Sequence, residues 1–447
     1  MSEDQGKAPA STRREFLRNA AVTAVATAAA TGVARSSVYS LAPGRVLGAN
    51  DRVNIGFVGV GGQGFGSHLS PLKDREKEAN IACIAACDLY VRRAKRAQQK
   101  LGVPDSQIFA DYRKLMEMKD IDAVWCATSD NWHADVTLAA LESGKHVYCE
   151  KPMTRTIEEA FKVFDAVKRT GRVFQVGTQG CTDQKWHIAK KIIQGGGIGH
   201  AIMGQASYCR NSTIGEWNYY QIDPDASPNA TGDAYVNWEM FRRGLGPKEW
   251  DPDRYFRWRK WWSYGNGILG DLFPHRLNPM AIALNLPTEG AGGFPIRGAC
   301  LGGLYVQKIN PVTKKVDRHV PDFTNLSLDF AEECSIMVLG STINELGWDT
   351  EVRGNKATIF LGSDTVEVRP ERVYAEEIEG SSTPDTGPGE SIPAHQDNFL
   401  DGIRKGTPLN AGIDLAVRCQ VMVTLGELSY RHGKMMHFDP KTRRYWG

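Results

Sequence analysis

"VNIGFVGVGGQG", Val53 to Gly64, decides the fold. Its first half is mostly apolar, as in a strand buried on both faces of a parallel sheet. Gly59, Gly61 and Gly64 then follow in the spacing G-x-G-x-x-G. In a strand-turn-helix of this kind the first glycine permits the tight turn, the second lets a pyrophosphate approach the backbone, and the third lets the helix pack closely on the strand. The helix N-terminus then presents N–H donors to the phosphates. Gly62 and Gln63 complete the turn and join it as candidate cofactor contacts.

A glycine turn alone is weak evidence, but a second apolar run, "IACIAAC" at 81–87, ends in Asp88, 24 residues past Gly64. That is the expected place for a carboxylate accepting the ribose hydroxyls of a dinucleotide. Asp88 would repel a 2′-phosphate, which favours NAD over NADP. Arg92 and Arg93, just beyond, leave room for NADP. As a purely structural residue, Asp88 would cap the helix that follows.

Strand and helix patterns keep alternating: "IDAVWCAT" at 121–128, a helix over 132–143 closed by Gly144, and "HVYCE" at 146–150. Thr156 and Glu159 form a capping box for a helix to about 169, and "RVFQVGT" at 172–178 is a further strand. The pattern predicts an α/β class, a doubly wound Rossmann domain. Ligands in such sheets lie beyond the carboxyl ends of the strands. "TSDNWH" at 128–133 and "EKP" at 150–152 therefore point into the same crevice as the glycine turn. Thr128, Asn131, Trp132, His133, Glu150, Lys151 and Gln179 are the remaining candidate cofactor contacts.

The glycine turn, the carboxylate after the second strand, Glu150-Lys151-Pro152, and Asp271 with His275 four residues on together resemble the glucose-fructose oxidoreductase / inositol dehydrogenase (Gfo/Idh/MocA) family. The resemblance covers about residues 51–440. It implies a dinucleotide-dependent enzyme acting on sugars, polyols or related compounds. It also implies a C-terminal α/β domain built on a large, mostly antiparallel open sheet. In the family the matching lysine, aspartate and histidine form the catalytic set, here Lys151, Asp271 and His275. The pattern departs at Asn278, where the family often has aspartate, and at Pro274, where it often has glycine.

These residue types suit the chemistry. Oxidising a carbinol needs a base for the hydroxyl proton while hydride leaves to the nicotinamide, and histidine titrates in the right range. In "GDLFPHRLNPM" Asp271 can act as N-cap, with Pro274 in the first turn and His275 one turn away. A helix N-terminus disfavours imidazolium, which keeps the base neutral. Lys151 can stabilise a developing alkoxide. Each of the three also has a bland reading, as a surface lysine, a cap and a packed core histidine.

Six of eleven tryptophans fall between 217 and 262, ending in "RYFRWRKWW" at 254–262, and such interleaving of aromatic and basic residues can bind single-stranded nucleic acid. The balance of 54 basic and 52 acidic residues argues against that partner. Aromatic faces also stack on sugar rings, so Trp238, Arg257 and Trp258 are candidates for the substrate wall, with His275. The competing reading is that these rings pack an insertion or a subunit interface.

A chain of 447 residues is too long for one ordinary core. The reading is a signal and linker over 1–50, a Rossmann domain over 51–177 and a substrate-binding and oligomerisation domain over 178–447. In the last, strands are expected in "ACLGGLYVQ", "LSLDFA", "SIMVLGSTINELGW" and "KATIFLG", a flexible loop at 382–391, and helices near 395–405 and 413–431. An exposed sheet face there predicts a homo-oligomer. The nine cysteines show no C-x-x-C pair and no ligand-like cluster with histidine, so neither a disulfide framework nor a metal site is expected.

"TRREFLR" at 12–18 precedes an Ala-rich run from Ala20 to Ala30 and a small-residue stretch at Gly32-Val33-Ala34, and this order resembles a twin-arginine export signal. The run is too short for an ordinary membrane span. The expected location is therefore the periplasm or beyond, with the twin-arginine machinery as a partner. Such machinery moves folded proteins, so a cofactor can travel inside. Outside there is no free pool to exchange with, which predicts a cofactor that stays bound and is recycled within each cycle. Two chemistries satisfy this: oxidising one sugar while reducing another, or transient oxidation, elimination, hydration and re-reduction of a glycoside. A non-catalytic, cofactor-stabilised sugar-binding protein is the reading from a different class.

Overall fold

The computed structural model describes residues 51–310, 312–385 and 387–447. The export-signal reading, on residues 1–50, lies outside the described residues. Six strands form the first sheet: β1 Val53–Val58, β2 Ile81–Cys87, β3 Ile108–Phe109, β4 Ala123–Cys126, β5 His146–Cys149 and β6 Phe174–Val176. Their order is β3-β2-β1-β4-β5-β6, and every pair is parallel. This is the doubly wound order of a dinucleotide-binding fold, with its switch point between β1 and β4.

β1 and β4 are buried almost throughout, as their charge-free sequences predict. The polar Asn54 is accommodated at the edge of the run, where its backbone N–H reaches the Asp122 carboxylate at 2.8 Å. Trp125 of β4 stacks on Tyr148 of β5 with ring centroids 5.4 Å apart, and Phe399 meets the Trp125 face edge-on at 5.2 Å. Phe399 belongs to the helix Ile392–Lys405, so a segment from the far end of the chain covers the first sheet. Val176 donates to the Ala411 carbonyl just beyond it.

The second sheet has ten strands: β7 Ala201–Cys209, β8 Pro295–Gly303, β9 Phe323–Phe330, β10 Ser335–Ser341, β11 Glu351–Gly354, β12 Ala357–Leu361, β13 Thr365–Pro370, β14 Ser381–Pro384, β15 Met436–Asp439 and β16 Arg444–Trp446. It is antiparallel except where β10 runs parallel to β7. β9 alternates half-buried and buried residues, the period-2 pattern of a sheet with one covered face. The helices Pro274–Ala283 and Ile413–His432 lie on that covered face: Met280 sits 2.5 Å from where a Cβ on Gly204 of β7 would stand, and Leu425 packs near Gly298 of β8.

Four local expectations change, the first being that "ACLGGLYVQ" is strand only as far as Gly303, in a strand that begins at Pro295. "SIMVLGSTINELGW" is a strand only as far as Ser341, because Ser341 Oγ then accepts the Ile343 and Asn344 N–H groups in a turn. The expected loop at 382–391 begins as β14, which pairs with β13. Asp271 is the last residue of the short helix Gly267–Asp271 rather than an N-cap; Phe273 takes the cap position of the next helix, with Pro274 in its first turn.

Candidate active site

The site grows from the switch point. Gly59 ends β1 with a φ of +83°, and a Cβ there would stand 2.6 Å from the Ala127 carbonyl oxygen at the end of β4. A Cβ on Gly64 would stand 1.9 Å from the Gly59 carbonyl oxygen. Strand and helix therefore meet backbone to backbone, which only glycine permits. Gly61 is open by contrast: its nearest neighbour is the Arg93 guanidinium, 3.4 Å from where a Cβ would stand. Helix begins at Gly62, and the six residues Gly64–Leu69 are wound as a π-helix before an α-turn over Ser70–Asp74.

Asp88 serves this turn directly. Its Oδ2 accepts the Val60 N–H and its Oδ1 the Tyr90 N–H, both at 2.9 Å, and the helix cap itself is Tyr90. The carboxylate thus fixes the glycine turn while standing in the wall of a cleft of about 1070 Å³, open solvent at its mouth included. Gly59, Gly61, Gly62, Gln63, Asp88, Thr128, Trp132, His133, Glu150, Lys151 and Trp258 all line that cleft. The two arginines left open by the sequence separate. Arg92 pairs with Asp223, Asp225 and Asp233, whereas Arg93 lines the cleft among the Tyr90, Tyr255 and Phe256 rings.

Glu150 holds the middle of the wall. Burial would push its carboxyl up, but His68 at 2.7 Å, Lys151 and Gln63 at 3.0 Å outweigh that and hold it well below the usual carboxylate range. His68 comes from the π-helical turn and is itself met by Gln396. The glycine turn, β5 and the helix Ile392–Lys405 are therefore joined by one polar chain.

Lys151 follows, in a cis peptide with Pro152. Its Nζ donates to the Asp271 carbonyl and, at 2.8 Å, to Asp271 Oδ1. Asp271 also accepts from Arg259 Nε at 2.9 Å and from Trp217 Nε1 at 2.8 Å. Burial opposes this charge, yet Lys151, Arg259 and the hydrogen bonds hold the Asp271 carboxylate far below its usual range. Arg259 in turn lies between Trp258, 4.2 Å from its guanidinium carbon to the ring centroid, and Tyr220 at 5.2 Å. Burial, with the Lys151 charge beside it, pushes His275 down to about 3 although Glu150 and Asp271 pull the other way. Its imidazole is neutral, and its buried Nδ1 has no partner among the described residues.

Several sequence candidates lie elsewhere. Trp238 is buried in an aromatic cluster with Phe241, Tyr255 and Tyr264, its Nε1 donating to the Lys248 carbonyl, because the insertion builds its own core. Arg257 is turned to the Asn218 and Tyr220 carbonyls and to Asp253, and its neighbour two residues on, Arg259, reaches the cleft instead. Asn131 is buried between Ser129 Oγ and the Phe241 carbonyl. Gln179 opens a short 3-10 turn outside the cleft wall, and Gly64, Asp271 and His275 also stand behind the lining rather than in it.

One cluster corrects the reading of the cysteines. Strand pairing sets Cys126 opposite Cys149, and the next helix brings His133 over them, so the three ligand atoms lie within 4.8 Å of one another. Linear spacing hides this. Both His133 ring nitrogens already face carbonyl oxygens, of Pro152 at 2.6 Å and of Thr128 at 3.3 Å. All nine cysteines are free thiols.

Sequence reasoning passed over Asp130, Tyr220 and Arg259, all in the cleft wall. Asp130 lay inside the quoted "TSDNWH", and its signal was its place as the first helical residue after a switch-point strand.

Curated relatives share part of this chain. Inositol 2-dehydrogenase of Salmonella typhimurium (strain LT2) is 32% identical over 166 residues, 37% of this chain and 48% of that protein. Glycosyl hydrolase family 109 protein 2 of Shewanella sp. (strain ANA-3) is 31% identical over 252 residues, 53% of this chain and 54% of that protein. The chain thus spans about half the length of the curated relatives it matches. Among solved structures, a levoglucosan dehydrogenase in complex with NADH and levoglucosan superposes with a TM-score of 0.62 at 19% identity, covering 88% of this chain and 99% of that one. An NAD binding oxidoreductase from Klebsiella pneumoniae gives 0.64 at 18% identity, covering 86% and 98%. At these identities the likeness is one of fold. Residues 53–178 match the Gfo/Idh/MocA oxidoreductase-family model, and over them the chain has that family's NAD-binding Rossmann fold.

Proposed function

We propose that this protein is an NAD(P)-dependent oxidoreductase that moves a hydride between a sugar or sugar derivative and a tightly held nicotinamide dinucleotide. The observation that carries the reading is the run of wall from the glycine turn and Asp88 to Lys151, whose ammonium is anchored by Asp271. The open Gly61 and the glycine-only contact of Gly59 with Gly64 fit a pyrophosphate lying on the backbone. NAD bound there supplies the hydride acceptor. Lys151 holds the reacting oxygen and stabilises charge developing on it. Asp271 holds the Lys151 ammonium in place, and His275 stands neutral beside them. Trp258 and Tyr220 offer ring faces to the sugar.

A second reading, redox-neutral cleavage of a glycoside, is favoured by the family 109 glycosyl hydrolases among the relatives. It predicts hydrolysis of a glycoside without net accumulation of reduced nucleotide. A non-catalytic sugar-binding protein predicts no nicotinamide reduction with any sugar.

The "TRREFLR" stretch supports export by the twin-arginine route, and hence a cofactor that stays bound and is restored in each cycle. Leu301, Tyr305, Val306 and Leu346, all exposed on or beside the second sheet, support a homo-oligomer. The test is mass spectrometry of the nucleotide released by denaturing protein purified without added cofactor. Stoichiometric NAD(H) or NADP(H) is expected, and cofactor-free protein with weak, reversible binding would remove the recycling argument. Cell fractionation of an Arg13→Lys, Arg14→Lys variant tests the export reading, with retention in the cytoplasm expected.

A further inference from the structure

Asp130 is the first residue of the helix Asp130–Glu142, beyond the end of β4, and it is one of the residues that line the cleft. The residue is 3% exposed. Among the described residues the side chain accepts one hydrogen bond, from the Asn266 N–H to Oδ2 at 3.3 Å. Gly265 and Trp258 close over it: a Cβ on Gly265 would stand 3.0 Å from Asp130 Oδ2 and 2.9 Å from the Trp258 ring. Gly265 therefore neighbours both the carboxyl and the Trp258 ring of the cleft wall.

The charges that face it come from three directions. Arg259 and Asp271 stand on the substrate side, Lys151 and Arg155 on the segment after β5, and Glu427 on the helix Ile413–His432 behind Arg155. On its own helix, His133 is kept neutral by burial. Each nearby cation is engaged with another carboxylate. Lys151 and Arg259 pair with Asp271, and Arg155 pairs with Glu427 through two hydrogen bonds. Asp130 is left a dry carboxyl with no ion-pair partner among the described residues, an arrangement that structural carboxylates avoid and acid–base groups use.

We propose that Asp130 is the group that carries the substrate's hydroxyl proton, acting beside the Lys151–Asp271–His275 set. The proposal rests on the oxidoreductase reading. In oxidation of a carbinol the C–H bond breaks with its electron pair passing to the nicotinamide. The O–H bond breaks, its pair becoming the second bond of the carbonyl, and the proton passes to the Asp130 carboxylate. Reduction returns proton and hydride by the same path. Burial, against the opposing pull of Arg259, places this carboxyl at about 7, a value matched to proton exchange near neutrality. His275, at about 3 and behind the cleft lining, is the weaker acceptor.

The test uses the holoprotein with a polyol or sugar that the wild type converts. Wild-type kcat for oxidation should rise with pH through about 7. Asp130→Asn should lose that limb and fall by ~10²–10⁴ in kcat, with bound nucleotide measured by mass spectrometry unchanged. Asp130→Glu should recover part of the rate together with a shifted limb. An infrared carboxyl band that titrates near neutral pH, present in the wild type and absent from Asp130→Asn, should accompany these changes. A wild type that turns over while Asp130→Asn keeps its rate and pH profile overturns this proposal alone. A wild type inert toward every sugar and polyol tried contradicts the oxidoreductase reading and takes this proposal with it.

Discussion

Lys151 and Arg259 share one oxygen: Asp271 Oδ1 accepts from Lys151 Nζ at 2.8 Å and from Arg259 Nε at 2.9 Å. One carboxylate thus ties a cation from the nucleotide-binding sheet to a cation of the insertion, and both cations border the cleft. Removing the shared charge leaves two cations side by side in a buried place. Asp271→Asn should therefore destabilise the fold by about 3–5 kcal/mol, as breaking one partner of a buried pair does, and denaturant melts of wild type and variant would measure it.

Lys151→Ala separates catalysis from cofactor retention. The glycine turn and Asp88 hold their geometry without Lys151, so bound nucleotide should be nearly unchanged while kcat falls by about 10²–10³. Loss of nucleotide in parallel with kcat would mean that the lysine holds the cofactor rather than the reacting oxygen.

Gly64 and Gly66 make an internal control two residues apart. A Cβ on Gly64 would stand 1.9 Å from a backbone oxygen, whereas nothing lies within 4 Å of one on Gly66. Gly64→Ala should cost more than about 4 kcal/mol or abolish folding. Gly66→Ala should be neutral or stabilising by up to about 1 kcal/mol. Thermal melts of the two variants decide it.

Asp271 and Asp130 should respond to pH in opposite senses. Asp271 is held below its unfolded value of about 3.9, so its contribution is present above that pH and is lost on acidification. Asp130 is raised to about 7, so its contribution is full below its unfolded value and is lost as pH rises through about 7. Asp130→Asn should accordingly gain stability over the wild type at pH above about 7, by up to roughly 4 kcal/mol, and gain little in mild acid. Equal effects at both pH values would show that the carboxyl is not raised.

Trp238 and Trp258 test how the aromatic insertion divides its labour. Trp238→Ala should cost about 3–5 kcal/mol of stability, since the ring is buried in the insertion's own core. Trp258→Ala, in the cleft wall and packed on Arg259, should act chiefly on KM and kcat. Paired melts and kinetics would separate the two.

Five strands of the first sheet were legible because buried parallel strands are written as continuous apolar runs and glycine spacing marks the turn; the two-residue edge strand β3 is too short to show a pattern. β7 was not, since "AIMGQASYC" mixes glycine, glutamine and serine into a strand that is only partly covered. The break that makes Asp271 end one helix and Pro274 open the next is a backbone event at Leu272 and Phe273, which side-chain types do not announce. Trp238 and Arg257 misled because an interleaved aromatic and basic stretch gives composition without direction; only packing shows that Trp258 and Arg259 face the cleft. Asp130 reads in the sequence as an ordinary first-turn acid. Its meaning lies in cations that are paired elsewhere, and that is a property of the assembled fold.

Isotope transfer reads out directly whether this cleft passes hydride between a sugar and NAD. Protein purified without added cofactor would be incubated with a sugar or inositol deuterated at its carbinol carbons, then denatured, and the released nucleotide weighed by mass spectrometry. The wild type should release nucleotide in the reduced form, NADH, carrying one deuterium on the nicotinamide, and Lys151→Ala should release unlabelled nucleotide in near-equal amount. A wild type that forms no deuterated NADH with any of a panel of deuterated sugars and polyols, or that releases no nucleotide at all, would rule this transfer out.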